Sequence, residues 1–195
     1  MSDIASAIRP SIVMTVGFTL LCGIAYPLAV TGVGQAVMPH QANGSLIVDD
    51  AGKVIGSELI GQGFAKPGYF HGRPSAAGKG YDATASSGSN LSPGSKHLRD
   101  RIATDAAAAH KAGIATVPAD MVTTSASGLD PDISPDNALA QAPRIAQARG
   151  IPVATVNDLI GKALAGPLIG FIGEPRVNVL ALNRQLDAMS ATTPK

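Results

Sequence analysis

The sequence predicts an α+β protein: one N-terminal transmembrane helix followed by a single extracytoplasmic domain of mixed helices and short strands. Three observations predict it. Residues 10–30 carry no charge, two short apolar runs flank an Asp/Gly turn near residue 50, and apolar residues recur at helical spacing after residue 95. The 195 residues suffice for one ordinary domain plus a terminal extra. Hydrophobic residues reach 45% and charged residues only 15%, against roughly 25% charged in an average soluble domain, a deficit that points to the membrane. With 15 basic and 14 acidic residues, no surplus of positive charge is available to neutralise a phosphate backbone, so nucleic acid is not an expected partner. Cys22 stands alone and cannot form an internal disulfide or a four-thiolate zinc site, and His40, His71, His97 and His110 lack the spacing of a zinc-protease helix.

The span comes first. Residues 11–30 supply the about 20 apolar positions needed to cross roughly 30 Å of hydrocarbon, and the expected transmembrane segment is 11–33, after a cytoplasmic 1–10. Ile12, Val13, Val16, Phe18, Leu20, Leu21, Ile24, Leu28 and Val30 together contribute on the order of −3 to −5 kcal/mol of insertion energy. Gly23 and Ala25 are small enough to precede a signal-peptidase cut, which would release a secreted ligand-binding protein, but the apolar character runs on to Val33 and favours an uncleaved anchor. Arg9 precedes the span and no Lys or Arg follows until Lys53, so the amino terminus is expected in the cytoplasm and the domain at 40–189 outside it. Thr15, Thr19 and Gly23, four residues apart, line one face where another helix can approach closely. Tyr26 suits the interfacial aromatic belt.

In the domain, residues 45–48 and 54–56 around Asp49-Asp-Ala-Gly-Lys53 read as a hairpin. Leu98, Ile102, Ala106 and Ala109 mark a helix over 95–112 that stops at Gly113. Ser134, Pro135 and Asp136 form a helix start, with Leu139, Ala142 and Ile145 facing inward, Pro143 as a bend and Gly150 as the stop. Thr155-Val-Asn-Asp158 reads as a capping box introducing Leu159, Ile160, Ala163 and Leu164, before Gly166-Pro167. Val179, Leu182, Leu186 and Met189 line a last helix, with a tail fraying over 190–195. The segment 71–95, rich in Gly and Ser, exceeds the length of ordinary loops and is either functional or disordered; Tyr81 and Leu91 favour an ordered binding loop.

Motifs for chemistry fail on spacing. Five residues separate Gly72 from Gly78, one too many for a phosphate loop, and Gly80 stands where a hydroxyl is needed. Asp130, Asp132, Ser134 and Asp136 alternate like a calcium loop, but Pro135 and Gln141 occupy the positions of its Gly and Glu, so these residues read as helix-entry turns. No G-x-S-x-G occurs.

Arg9-Pro10 before the span, Tyr26-Pro27 near its end, Gln41-Ala-Asn-Gly-Ser45, Ile55-Gly-Ser-Glu-Leu-Ile-Gly-Gln62, Gly68-Tyr-Phe-His-Gly-Arg-Pro-Ser75, Ser89-Asn-Leu91, Val117-Pro118, Val122-Thr123, Ser125-Ala-Ser-Gly-Leu-Asp130, Ile133-Ser-Pro135, Val177-Asn178 and Leu182-Asn183 follow one another along nearly the whole chain. Together they resemble the KdpC family, the C subunit of the bacterial Kdp potassium-transporting P-type ATPase. The resemblance implies a non-catalytic accessory subunit of a high-affinity potassium uptake complex in the bacterial inner membrane. Its implied partners are the channel-like, potassium-binding KdpA, the ATP-hydrolysing KdpB and the small KdpF, besides membrane lipid. It implies that ATP and magnesium are used by the partner ATPase, KdpB, with no cofactor held by this chain. The catalytic aspartate is implied on another chain, since Asp-Lys-Thr-Gly-Thr is absent here. Family descriptions assign a role in assembly, or as a catalytic chaperone that raises ATP affinity. The topology read from the residues allows the second role only indirectly, and Leu159-Ile-Gly-Lys-Ala-Leu-Ala-Gly166, near which a nucleotide-contacting glutamine has been suggested, contains none. Interaction candidates are Thr15, Thr19 and Gly23 on the helix, and His71, Arg73, Tyr81, Asn90 and Leu91 in the long loop. The alternative is a membrane-anchored extracytoplasmic hydrolase with His71 or Asp130 as general base.

Overall fold

Between Arg9 and Asp49 no Asp, Glu, Lys or Arg occurs, and the chain is helical up to Ala42 apart from Met38. The computed structural model describes residues 2–49, 51–167 and 170–192. Helix α1 (Ser2–Leu20) passes through one π-turn (Leu21–Ala25) into α2 (Tyr26–Val37). The π-turn has a local cause. Pro27 has no N–H for the carbonyl four residues back and its ring crowds that carbonyl, and the wider turn just before it, closed by Tyr26 N–H onto Leu21 O, accommodates both. The stretch Ala5–Val37 is a 33-residue helix, long and apolar enough to cross a membrane, and is exposed almost throughout. Helix α3 (Pro39–Ala42) is a single turn. The expected hairpin follows as β1 (Leu46–Val48) and β2 (Val54–Ser57); Asp49 Oδ1 accepts from Ala51 N at 3.0 Å and Lys53 N at 2.8 Å, and Gly52 supplies φ +78°. The chain divides into two units, Met1–Val54 and Ile55–Lys195.

The second unit is built on α6 (Pro135–Arg149), α7 (Val153–Ala163) and α8 (Val179–Thr192), with α7 packed against both of the others. A small antiparallel sheet of order β3-β5-β4 completes the core: β3 is Asp132–Ile133, β4 Leu164–Ala165 and β5 Arg176–Asn178. Val177 sits opposite both Ile133 and Leu164 and is fully buried. Ala138, Ala142 and Ala146, one turn apart on α6, are buried beside Ile145, and small side chains at that spacing let neighbouring elements approach closely. Val156 and Ile160 of α7, with Val179, Leu182 and Leu186 of α8, fill the rest. Helix α4 (Lys96–Lys111) and the one-turn α5 (Ala119–Val122) pack together.

Helix α6 shows how its ends are written into the sequence. Ser134 Oγ accepts from Asn137 N at 3.1 Å, and Pro135 fills the first turn. At the other end Gly150 is left-handed at φ +66°, and Gly150 N onto Gln147 O with Ile151 N onto Ala146 O completes a Schellman closure.

Three local expectations are corrected. Helix α7 begins at Val153, not at a Thr155 box: Pro152 already holds φ −62° and accepts from Thr155 N, so the helix starts before Thr155 is reached. Leu139 points out, 46% exposed, because Ala138 and Ala142 hold the inward positions. Leu164 leaves the helix to pair in β4 and is also exposed. Backbone helix continues past Ser190 to Thr192, and the last three residues of the expected tail lie outside the described part.

Truncating Ile145 to Ala is expected to destabilise the second unit by about 2–5 kcal/mol, whereas Leu139→Ala changes stability by less than about 0.5 kcal/mol. Denaturant midpoints of the full chain in detergent check both.

Candidate partner-binding surface

The long loop is ordered by side-chain amides of the helices beneath it. Phe70, with no exposed surface, donates its N–H to Asn183 Oδ1 at 2.8 Å, and Asn183 Nδ2 donates to the Phe70 carbonyl at 3.0 Å. One residue on, His71 N–H donates to Gln141 Oε1 at 2.8 Å, and Gln141 Nε2 returns a bond to the His71 carbonyl at 2.9 Å. Asn183 belongs to α8 and Gln141 to α6, so two buried amides give this segment what a neighbouring strand would otherwise supply. Two arginines extend the clamp upstream. Arg144 donates to the Tyr69 carbonyl at 3.0 Å and to the Pro67 carbonyl; Arg149 donates to the Gly68 carbonyl at 2.6 Å, pairs with Asp187 at 2.8 Å and lies over the Tyr69 ring at 4.8 Å.

Downstream the loop folds on Ser75. Its Oγ donates to the Gly128 carbonyl at 2.6 Å and accepts from Tyr81 N at 2.8 Å and Ala77 N at 3.2 Å. The Tyr81 hydroxyl donates to the Arg73 carbonyl at 2.6 Å, and burial first, then the Asp130 carboxylate, push its pKa up to about 12 against the pull of Arg73. The phenol therefore stays a donor throughout the physiological range. Arg73 Nη1 pairs with Asp130 Oδ2 at 2.9 Å, and the other Asp130 oxygen accepts from Asp132 N at 3.0 Å. Gly128 lies where the two loop strands touch: at φ +67°, an added Cβ would come within 2.7 Å of Ala77 N and Ser87 O.

Of the candidates read from sequence, this arrangement brings Arg73 and Tyr81 together. His71 is turned to the other side, on Gln141, with its Nε2 against the Lys66 carbonyl at 3.2 Å. Leu91, half-buried, lines a separate depression with Ser75, His97 and Arg101, while Asn90 is exposed at φ +51°. Thr15, Thr19 and Gly23 are exposed on the first unit's helix, and no atom outside the helix's own backbone and Gly23's chain neighbours lies within 4 Å of a Cβ built at Gly23. The slower rotation of the π-turn brings Gly23 more nearly above Thr19 than a regular α-helix would. As general bases, His71 and Asp130 are poorly served. No Ser, Thr or Cys side chain among the described residues lies within hydrogen-bond reach of His71, and the Asp130 carboxylate is engaged by Arg73 and its own turn.

Sequence reading missed Gln141, Asn183, Arg144 and Arg149. All four lie on helices, and their signal is a polar residue on or beside a core-facing stripe. It also missed Phe171 and Ile172, exposed in the connection from β4 to β5.

Tyr81→Phe is expected to cost about 1 kcal/mol through its lost hydrogen bond, and Gly128→Ala more than about 2 kcal/mol through strain and collision with backbone, both read from thermal midpoints. His71 is held below its usual 6.5, by burial first and the Arg144 guanidinium second, against a raising hydrogen bond to Lys66 O. The unfolded chain therefore binds the proton first on acidification. Stability contributed by the neutral ring is complete above pH 6.5 and declines as pH falls from there towards the depressed folded value. Urea midpoints at pH 7.5 and pH 5 should differ more in the parent chain than in His71→Gln.

A family model described as KdpC, "K+-transporting ATPase, c chain", matches residues 8–188. The chain is 65% identical over 185 residues to the potassium-transporting ATPase KdpC subunit of Caulobacter vibrioides, covering 94% of this chain and 93% of that one. It is 53% identical over 190 residues to the protein of the same description in Gemmatimonas aurantiaca, covering 96% and 95%. With that of Myxococcus xanthus it shares 49% over 196 residues, covering 99% and 91%. Matches of this extent run through the apolar helix, the amide clamp and the folded loop alike, and the chain belongs to the KdpC family, the c chain of the K+-transporting ATPase.

Proposed function

We propose that the chain is a non-catalytic accessory subunit of an ATP-driven potassium uptake complex, with the helix as its single-pass anchor in the inner membrane. The observation that carries this is the family match over residues 8–188, which includes the apolar helix. The charge asymmetry around its uncharged stretch, Arg9 before it and no Lys or Arg after it until Lys53, supports a cytoplasmic amino terminus and an outer domain. The partners are the channel-like KdpA, the ATP-hydrolysing KdpB that carries the catalytic aspartate, and the small KdpF. The face of Thr15, Thr19 and Gly23 docks against a partner helix, and the folded loop about Arg73 and Tyr81 meets the outer face of the complex. ATP and magnesium act on the partner. Any influence on ATP affinity is indirect and requires this chain to bind one pump conformation more tightly than another.

Replacing Thr19 and Gly23 by Leu is expected to lower the share of this chain retained by the purified complex at least tenfold, read by quantitative gels against the ATPase partner. Full retention removes helix docking from the reading. Lys79→Cys, on the exposed loop, should react with a membrane-impermeant thiol reagent added outside intact spheroplasts; labelling only after lysis would reverse the orientation.

A further inference from the structure

A cleft of about 440 Å³ in the second unit separates the C-terminal half of α4 from α6. Ala108, Ala112, Ile114 and Met121 form its apolar wall, and the amide clamp forms the other. Asn137, on that second wall, is 1% exposed and its Nδ2 has no acceptor. The orientation of its amide is fixed by the neighbours. His71 N–H and Arg144 Nη2 can only donate, so Gln141 must turn Oε1 to both, at 2.8 Å each. Its Nε2 then donates to the His71 carbonyl and, at 2.8 Å, to Asn137 Oδ1. Asn137 is left presenting a pair of N–H donors with nothing to receive them, in a region where an unmatched donor is destabilising.

The chemistry of the walls selects the acceptor. Arg144 turns its terminal nitrogens to Pro67, Tyr69 and Gln141, and the Asp105 carboxylate in the lining is already paired with Arg101 Nη1 at 3.2 Å. An anionic headgroup or carboxylate therefore meets no free cationic fork on these walls, whereas a neutral amide carbonyl meets a matching donor. We propose that the cleft receives a peptide segment of another protein of the complex, with an apolar side chain against Ala108, Ala112 and Ile114 and a main-chain carbonyl accepting from Asn137 Nδ2. The nitrogen exposes almost no surface in the free chain, so seating includes a small outward shift of that amide. This inference rests on the accessory-subunit reading and adds the surface and the chemistry of contact.

The test places a photo-crosslinking benzoylphenylalanine at Lys111, exposed beside Ala112 at the end of α4 and outside the lining, in the full chain co-expressed with its partners; Asp158, on α7 away from the cleft, is the control position. Illumination of membranes should give a crosslink from position 111, and not from 158, to a peptide of a partner protein mapped by mass spectrometry. A crosslink to lipid, to a small molecule or to nothing, while the chain still co-purifies with the complex, overturns the cleft proposal alone. If no other member of the complex co-purifies, the accessory-subunit reading falls and this proposal with it. Independently, Asn137→Asp keeps the acceptor facing Gln141 but turns the donor into a second acceptor, and should lower retention in the complex about tenfold. Ala112→Trp fills the cleft from an exposed position and should do the same with an unchanged thermal midpoint; unchanged retention in Ala112→Trp overturns the proposal even if Asn137→Asp does not fold.

Discussion

Two buried amides, Asn183 of α8 and Gln141 of α6, determine where the irregular part of the second unit can lie. Each forms a two-way pair with one residue of the chain, Phe70 or His71, at 2.8–3.0 Å. A segment without a strand neighbour would ordinarily have to leave its N–H and C=O groups in water or bury them at a cost of roughly 1–3 kcal/mol each. Here the helices satisfy them, so Phe70 can be buried against Ile145, Leu182 and their neighbours while its backbone remains fully paired. Everything that follows in the loop is positioned from that point: Arg73 reaches Asp130, Ser75 reaches Gly128, and Tyr81 folds back onto Arg73.

The parts governed by periodicity were legible in the sequence. The apolar helix, the Asp49 hairpin, α4, the capped and Gly-closed α6 and the inward stripe of α8 all follow from spacing and end signals that act within a few residues. The failures have separate causes. Pro152 began α7 a turn before the expected Thr155 box because one rigid φ outranked a hydroxyl cap, and Ala138 displaced Leu139 from the core because α6 must be approached closely on that face. Strands of two residues, such as Asp132–Ile133 and Leu164–Ala165, carry too little pattern to be seen before their partner is known.

Of the candidate surface, the sequence showed which loop was unusual but not what ordered it. Arg73 and Tyr81 were legible as single polar or aromatic residues in a Gly-rich stretch. Their meeting depends on Ser75 and Gly128, 53 residues apart in the chain, and on a close backbone approach that a Cβ at Gly128 would block. Gln141 stands between Ala140 and Ala142 and Asn183 follows Leu182, and a lone amide there carries no spacing rule that distinguishes a backbone clamp from a solvent-facing polar residue. Their roles emerge only from distances to a segment some seventy to over a hundred positions away.

On the accessory-subunit reading, such rigidity also bounds how the chain can act. A loop fixed by reciprocal amides, an Arg73–Asp130 pair and a Ser75 node does not need to be ordered when a partner arrives, so little of the binding energy is consumed in loop ordering. The same rigidity leaves differential contact as the route for regulation: the surface must fit one conformation of the complex better than another. Coupling energies of about 1–3 kcal/mol suffice for changes of roughly 5–150-fold in affinity at a distant site. That is the size of one or two hydrogen bonds made in one state and lost in the other. An unmatched buried donor such as Asn137 Nδ2 is suited to that scale, because the free chain already bears the cost of leaving it unpaired and a partner carbonyl relieves it.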